Sequence, residues 1–381
     1  MFSYRTTIAS ALQSFRLDGR MLCYTNFVPK LYNWCLSLGF TPGKIIPSRA
    51  FCSDETQGFP IILLTKHFAA FPFNHGRVGG IVSIDRHGPY AEHGKDLMLI
   101  QASHVGYDPE TGRFGVYRRL HTEHETFSCN CGKIGGIIAN YAVEYTYARD
   151  NIRLVRHQGQ PALLIDNHLI SRSHERGLFL VTENLVQHAQ GGALHPLSRS
   201  STGHIFPAAR DLIVRLGENA WPHNGSVPIG NGLAAEDFYF KHDLINEDTT
   251  LNQLEYNLLA PMPWILTSPN PLLTAACANT MAEFDRTYRS LAVAPAMQGR
   301  NVLFISGLNI DISPGPGEEF PLTKFVPWAA YLQHADGTRE ILEQDALLER
   351  LGAAPSSNPA QINLEQSIEA MAHQREVEVR L

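Results

Sequence analysis

Short apolar runs that alternate with amphipathic helices are the feature that most constrains how this sequence can fold. Apolar runs predict buried strands at residues 97–102, 301–310 and 323–332. Apolar residues at helical spacing predict helices at 26–38 and 134–147. Strands that alternate with helices are typical of a sheet covered by helices, so the sequence predicts an α/β fold.

Helical patterns dominate the rest of the chain. We expect helices at 162–171, 178–188 and 271–291, and amphipathic helices at 340–351 and 364–378. No internal repeat is visible. A chain of 381 residues is long enough for one large domain or two ordinary ones.

Composition excludes several classes of function. The chain is 44% hydrophobic and 18% charged, which is usual for a soluble globular protein. A formal net charge of −6 argues against a general nucleic-acid surface, which needs a basic stripe. No apolar run reaches the ~18 residues of a membrane span, so no membrane partner is expected. Residues 1–16 lack the layout of a secretory signal, which predicts the cytoplasm.

Cysteine and histidine residues point to the first third of the chain. Six cysteines in a chain of this length do not make a disulfide framework. Three of them, Cys23, Cys35 and Cys277, lie in apolar helical patterns and are expected to pack as small hydrophobic residues. The other three, Cys52, Cys129 and Cys131, lie among polar residues and glycines, which is a different context.

These cysteines and His104 form a pattern that could bind a metal. Cys52 ends a short extended run, His104 follows the strand at 97–102 and is expected where that strand surfaces, and "CNCG" at 129–132 precedes a helix. Such ends converge at one edge of an α/β sheet. Two thiolates and one imidazole suit Zn²⁺, and three protein ligands leave a fourth position open, as in catalytic zinc sites.

Two other interpretations remain open from spacing alone. A closed structural zinc site could form within "HTEHETFSCNCG", from His121, His124, Cys129 and Cys131. The same residues could also serve packing and surface hydrogen bonding, with no metal at all.

Four segments in order resemble marker segments of a known family. "AFCSDE", "FPFNHGRVGG", "LMLIQASHVGYD" and "CGKIGG" are similar to those of the limiting-CO2-inducible B/C family (LCIB), a divergent (theta) branch of the β-type carbonic anhydrases. "NVLFISGLNID" and "EEFPLTKFVPWAAYL" resemble its closing strands. The resemblance covers most of residues 5–335. It implies a central mixed sheet flanked by helices, with a zinc site at the strand ends.

The resemblance also implies a set of metal ligands. Two cysteines and one histidine hold zinc in the family, and these correspond to Cys52, His104 and Cys131. Cys131 is preferred to Cys129 because β-type enzymes place a glycine directly after that ligand, as Gly132 is here. A thiol that opens a helix also gains from unpaired backbone N–H groups, which favour the thiolate.

An aspartate paired with an arginine accompanies the zinc in β-type enzymes. Asp54 matches the aspartate. The arginine of those enzymes falls at position 56, which is Thr56 here. Arg77 in the glycine-rich loop is the best substitute, and Arg86 is the second candidate. An arginine nearby would keep Asp54 ionised and off the metal.

The implied function is reversible hydration of CO2 to bicarbonate, with zinc making water the nucleophile. Phe71, Phe73 and Tyr107 are candidates for an apolar CO2 pocket, although ordinary core packing would explain them equally well. A homodimer is implied. An alternative is an inactive or weakly active relative that acts as a CO2- or bicarbonate-responsive binding partner, which the departure at Thr56 keeps open.

The implied domain organisation has one core domain and one extension. The family-like domain would span residues 1–338, with insertions within about 155–264. Residues 339–381 would form a helical C-terminal extension.

Overall fold

The computed structural model describes residues 4–84, 95–118, 127–128, 131–170, 176–189, 192–242, 252–315, 317–318 and 320–373. The contacts divide the chain into two compact units. One unit, which we call the main-sheet unit, comprises residues 15–131 and 279–381. The other, which we call the second unit, comprises residues 1–14 and 132–278.

The strands are short except for three long ones near the centre of the main sheet. They are β1 (Leu22–Cys23), β2 (Ile45–Ala50), β3 (Phe73–Asn74), β4 (Gly76–Arg77), β5 (Ile81–Val82), β6 (Asp96–Asp108), β7 (Arg113–Phe114), β8 (Tyr117–Arg118), β9 (Phe127–Ser128), β10 (Ile152–His157), β11 (Gln160–Asp166), β12 (Gly177–Leu180), β13 (Ser198–Arg199), β14 (Gly203–Pro207), β15 (Ser226–Pro228), β16 (Phe238–Lys241), β17 (Val302–Ile312), β18 (Leu322–Gln333) and β19 (Arg339–Glu343).

The α-helices range from four to 23 residues. They are α1 (Tyr4–Ser14), α2 (Tyr24–Ser37), α3 (Gly58–Phe68), α4 (Gly132–Asn151), α5 (Asn167–Ile170), α6 (Thr182–Leu185), α7 (Arg210–Leu216), α8 (Gln253–Leu259), α9 (Met262–Thr267), α10 (Pro271–Val293), α11 (Gln344–Ala353) and α12 (Leu364–Ala372). Among the described residues, no helix combines the length and the apolar character that crossing a membrane requires.

A mixed sheet of eight strands forms the main-sheet unit. Its path is β1-β18-β17-β6-β2-β3, with β19 paired to β18 and β7 paired to β6. The pairs β17–β6, β6–β2 and β2–β3 are parallel, whereas β18 is antiparallel to β1, β17 and β19. The predicted α/β class and the mixed sheet flanked by helices are therefore confirmed.

Both faces of the central strands are buried. From β6, Met98 and Ile100 join the core cluster that contains residues of α2, α3 and α11. Leu97 and Leu99 point to the other face, where they join Phe284 and further residues of α10. This double coverage explains why β6 is a continuous apolar run in the sequence and does not alternate.

The second unit contains a separate antiparallel sheet. Five strands follow the order β13-β14-β11-β10-β15, and β12 pairs with β16 as a two-stranded sheet. The predicted helices at 162–171 and 178–188 are wrong over their first residues, because β11 and β12 occupy them. Short apolar runs such as "ALLI" suit a strand as well as a helix, and pairing of β11 with both β10 and β14 decides the outcome.

The C-terminal part of the main-sheet unit also differs from expectation. The helix predicted at 340–351 begins at Gln344, since residues up to Glu343 form β19 and extend the sheet beside β18. Leu342, Leu347 and Leu351 are buried in the same core cluster as Met98. The helix predicted at 271–291 is confirmed as α10.

Candidate metal centre

The structure brings Cys52, His104 and Cys131 together in the main-sheet unit. One potential ligand atom from each lies within 4.8 Å of the other two, and all three residues are buried, at 5%, 1% and 4% exposure. Parallel pairing of β2 with β6 places Ala50 opposite Gln101, so the chain just beyond β2 runs beside the segment with His104. Cys131 is the residue directly before α4. The group could hold a metal ion.

His104 lies inside a strand, and the expectation that it sits where the strand surfaces is wrong. β6 continues to Asp108 because β17 pairs with it in parallel as far as Tyr107. The imidazole Nδ1 lies 2.9 Å from Asp311 Oδ2. The other ring nitrogen, Nε2, is buried and has no hydrogen-bond partner within the described residues. A buried nitrogen in that state is available to a metal.

Asp311 on β17 is the residue at the site that the sequence interpretation missed. Its carboxylate is fully buried and accepts hydrogen bonds from Thr56 Oγ1 (2.8 Å), Gln57 Nε2 (2.9 Å) and Thr323 Oγ1 (3.0 Å). The signal for it lay in "NVLFISGLNID", where two polar residues, Asn309 and Asp311, occupy one face of a strand that is mostly apolar. Buried polar groups on a strand need partners, which should have drawn attention to them.

The thiol of Cys52 lies in surroundings that favour its ionised form. A hydrogen bond with Cys131 contributes most, and His104 and the backbone N–H of Gly79 (3.2 Å from Sγ) add to it. Together they outweigh burial and lower the pKa of Cys52 to about 3. Burial alone would lower the pKa of His104, but the interactions with Asp311 and Cys52 raise it to about 10. Thiolate is the form that binds metals.

The loop that reaches Cys52 depends on two glycines. Gly79 and Gly80 have φ values of +80° and +77°, in the left-handed region that side chains rarely adopt. A Cβ atom on Gly80 would lie 2.1 Å from the Ala102 carbonyl oxygen. Asn279 on α10 donates from Nδ2 to the Gly79 carbonyl and to Ser103 Oγ, both at 2.9 Å. These contacts fix the Gly79 N–H against the sulfur.

Asp54 lies two residues beyond Cys52 and is half-buried. Its Oδ1 accepts a hydrogen bond from the Thr56 N–H at 3.2 Å, which caps a short 3₁₀ turn. Burial raises the pKa of this carboxyl, while His104 acts in the opposite direction. Arg77 donates from Nε to Ser83 Oγ at 2.8 Å. Arg86 lies outside the described residues, and a pairing of Asp54 with either arginine stays a prediction.

Several solved structures of known proteins are similar to this chain. PtLCIB4, a homolog of the limiting CO2-inducible protein LCIB, is similar to this chain, with a TM-score of 0.48 and 12% identity over 88% of this chain and 99% of that one. A mutant of PtLCIB4 is similar to this chain with a TM-score of 0.49 and 12% identity, over 87% of this chain and 97% of that one. The limiting CO2-inducible protein LCIB has a TM-score of 0.42 and 12% identity, over 90% of this chain and 100% of that one. These names are those of the family that the motifs resemble.

No protein-family model matches the chain, and no curated protein matches it.

The aromatic side chains predicted to line a CO2 pocket lie in different surroundings. Phe71 and Phe73 are exposed, at 73% and 54%. Phe71 lines an apolar groove between α3 and α12, with a volume of about 290 Å³. Tyr107 packs against Phe114, with ring centroids 4.9 Å apart. Their role toward CO2 stays a prediction. His121, His124 and Cys129, the other members of the alternative zinc site, lie outside the described residues.

Proposed function

We propose that this protein is a zinc-dependent carbonic anhydrase that converts CO2 and water to bicarbonate and a proton, and back. The observation that carries the proposal is the buried group of Cys52, His104 and Cys131, with ligand atoms within 4.8 Å of one another. Sulfur from cysteine and nitrogen from histidine are the ligands that Zn²⁺ takes most readily. Three ligands from the protein leave one position for the substrate, as a catalytic site requires.

The chemistry divides between the ion and the chain. Bound zinc supplies Lewis acidity and brings the ionisation of water close to neutral pH. Asp54, two residues beyond Cys52, would accept a hydrogen bond from the attacking water or hydroxide and orient its oxygen. Arg77 or Arg86 keeps Asp54 ionised and away from the ion. Phe71, Phe73 and Tyr107 offer apolar surface to CO2, which carries no charge to bind.

The test begins with metal analysis of the purified protein and stopped-flow CO2 hydration, with and without a chelator. We expect about one zinc per chain and a hydration rate that chelation abolishes. Cys52→Ala and His104→Ala each remove a ligand, so both zinc and turnover should be lost. Cys277→Ala, which removes a buried thiol outside the group, is the matched control and should retain both. Wild-type protein without zinc would refute the proposal at its first step.

A second candidate function follows from position 56. Thr56 stands where β-type enzymes are expected to carry an arginine, and its hydroxyl donates a hydrogen bond to Asp311. A chain without that arginine could hold zinc and bind CO2 or bicarbonate without rapid turnover, acting as a responsive binding partner. Zinc-loaded protein that binds bicarbonate in calorimetry, but shows no hydration above the uncatalysed rate, would favour this alternative.

We also propose a cytoplasmic homodimer, as the sequence resemblance implies. Light scattering on the zinc-loaded protein measures the mass directly. About twice the monomer mass is expected, and a monomeric mass would contradict the dimer without affecting the metal site.

A further inference from the structure

A chain of hydrogen bonds between buried side chains ends at His104. Tyr24 OH donates to Asn309 Oδ1, and Asn309 Nδ2 donates to Gln57 Oε1, both at 2.7 Å. Gln57 Nε2 donates to Asp311 Oδ2 at 2.9 Å, and the same oxygen lies 2.9 Å from His104 Nδ1. All five residues are 1% exposed or less.

The donors in this chain all point the same way. Burial raises the pKa of Tyr24, so its phenol keeps the proton that it donates to Asn309. The amide nitrogens of Asn309 and Gln57 can only donate. Thr56 Oγ1 accepts a hydrogen bond from Gln57 Nε2 at 3.0 Å and donates one to Asp311 Oδ2 at 2.8 Å. Asp311 therefore receives hydrogen bonds from Thr56, Gln57 and Thr323 and gives none to them.

The consequence for His104 is a fixed tautomer. An ionised carboxylate can only accept, so the imidazole Nδ1, which lies 2.9 Å from Oδ2, must carry a proton. Nε2 is then the ring nitrogen that a metal can bind, by displacing the second proton of the imidazolium, and within the described residues it has no hydrogen-bond partner. Once a metal has displaced that proton, an imidazole whose other nitrogen is bonded to a carboxylate is a stronger and better-oriented ligand.

We propose that Asp311 is the positioning residue of the metal site, and that Gln57, Asn309 and Tyr24 hold its carboxylate as the acceptor that fixes His104 with Nε2 toward the metal. The inference rests on the proposed function only in taking the site to bind zinc. It concerns metal affinity and the imidazole tautomer, and it stands whether or not the protein hydrates CO2.

The first measurement is zinc affinity, by competition with a chromophoric chelator. Asp311→Ala removes the acceptor, and Asp311→Asn keeps an oxygen but loses the charge. Loss of a partner of a metal-bound histidine typically weakens metal binding about 10–100-fold. We expect Asp311→Ala near the upper end of that range and Asp311→Asn near the lower end.

The matched control is Asp108→Asn, a buried aspartate on the same strand as His104 whose carboxylate bonds to Thr111 in a turn. Its zinc affinity should equal that of the wild type. An affinity unchanged in folded Asp311→Ala would overturn the inference.

The second measurement reports on the imidazole itself. Proton–nitrogen NMR spectra of the zinc-loaded protein should show His104 with the proton on Nδ1 in the wild type and in Asp311→Asn. In Asp311→Ala that Nδ1–H signal should shift or broaden, and the absorption bands of the cobalt-substituted site should move. A residue that only supports packing would leave both signals in place.

A milder substitution keeps the test decisive if the Asp311 variants do not fold. Thr323→Val removes one donor to Asp311 Oδ1 and nearly preserves shape. One hydrogen bond is worth about 1 kcal/mol, roughly fivefold in affinity, so a loss of about that size supports the inference. No loss in Thr323→Val would overturn it. Wild-type protein that binds zinc but does not hydrate CO2 would refute the proposed catalysis and leave this inference intact.

Discussion

At the level of single residues, Asp54 differs from the three candidate ligands because it interacts electrostatically with His104 but is not one of the three residues whose ligand atoms converge. Asp54→Asn should therefore retain zinc while CO2 hydration falls. Loss of a group that orients or accepts a proton typically costs about 10²–10⁴-fold in rate. Metal analysis and stopped-flow rates on one preparation separate the two effects. Glu55→Gln removes an exposed neighbouring carboxylate and should change neither quantity; loss of zinc in Asp54→Asn would contradict the assigned role.

Residue chemistry also shows what the sequence could and could not predict about the site. Cys52 and His104 were conspicuous as candidate ligands, but the set of Cys52, His104 and Cys131 was predicted from the family resemblance, because spacing alone left a local zinc site or no metal open. Asp311 was missed because its importance arises only when β17 pairs with β6 and brings the carboxylate to Nδ1. That pairing joins residues about 200 positions apart, so no local pattern around Asp311 reveals it.

Among the elements, the glycine loop before β5 has the sharpest geometric requirement. Gly80→Ala should destabilise the protein twice over, through the left-handed φ and through a Cβ only 2.1 Å from the Ala102 carbonyl oxygen. The left-handed backbone alone costs about 1–2 kcal/mol, which Gly112→Ala isolates, since Gly112 has φ +65° and open space around its Cβ position.

We expect Gly80→Ala to lower the free energy of unfolding by at least about 2 kcal/mol more than the control does, since backbone atoms must move. Urea denaturation gives both values. Weaker zinc binding should accompany the change, because the adjacent Gly79 N–H bonds to Cys52. Equal destabilisation by the two substitutions would show that the loop shifts without resistance.

Elements buried on both faces were predictable, whereas elements whose identity depends on a partner were not. β6 and β17 are continuous apolar runs because helices cover both sides of the sheet. β19 contains "REIL", which also continues the amphipathic pattern of α11, and only its pairing with β18 makes it a strand. Local periodicity could not distinguish these outcomes.

On the scale of the whole chain, residues 339–353 contribute buried side chains to the core of the main-sheet unit. β19 extends the sheet, and Leu347 on α11 is fully buried in the cluster with Met98 and Ile100. A chain that ends at residue 338 would expose that face of the sheet, and we expect it to aggregate or to lose its zinc.

Leu347→Ala gives a graded test, with an expected loss of about 2–5 kcal/mol of unfolding free energy. Ile368→Ala on α12, where the side chain is 60% exposed, should change stability by less than about 0.5 kcal/mol. Urea midpoints measure both variants, and a zinc-binding, monodisperse chain ending at residue 338 would show that β19 and α11 are dispensable to this core.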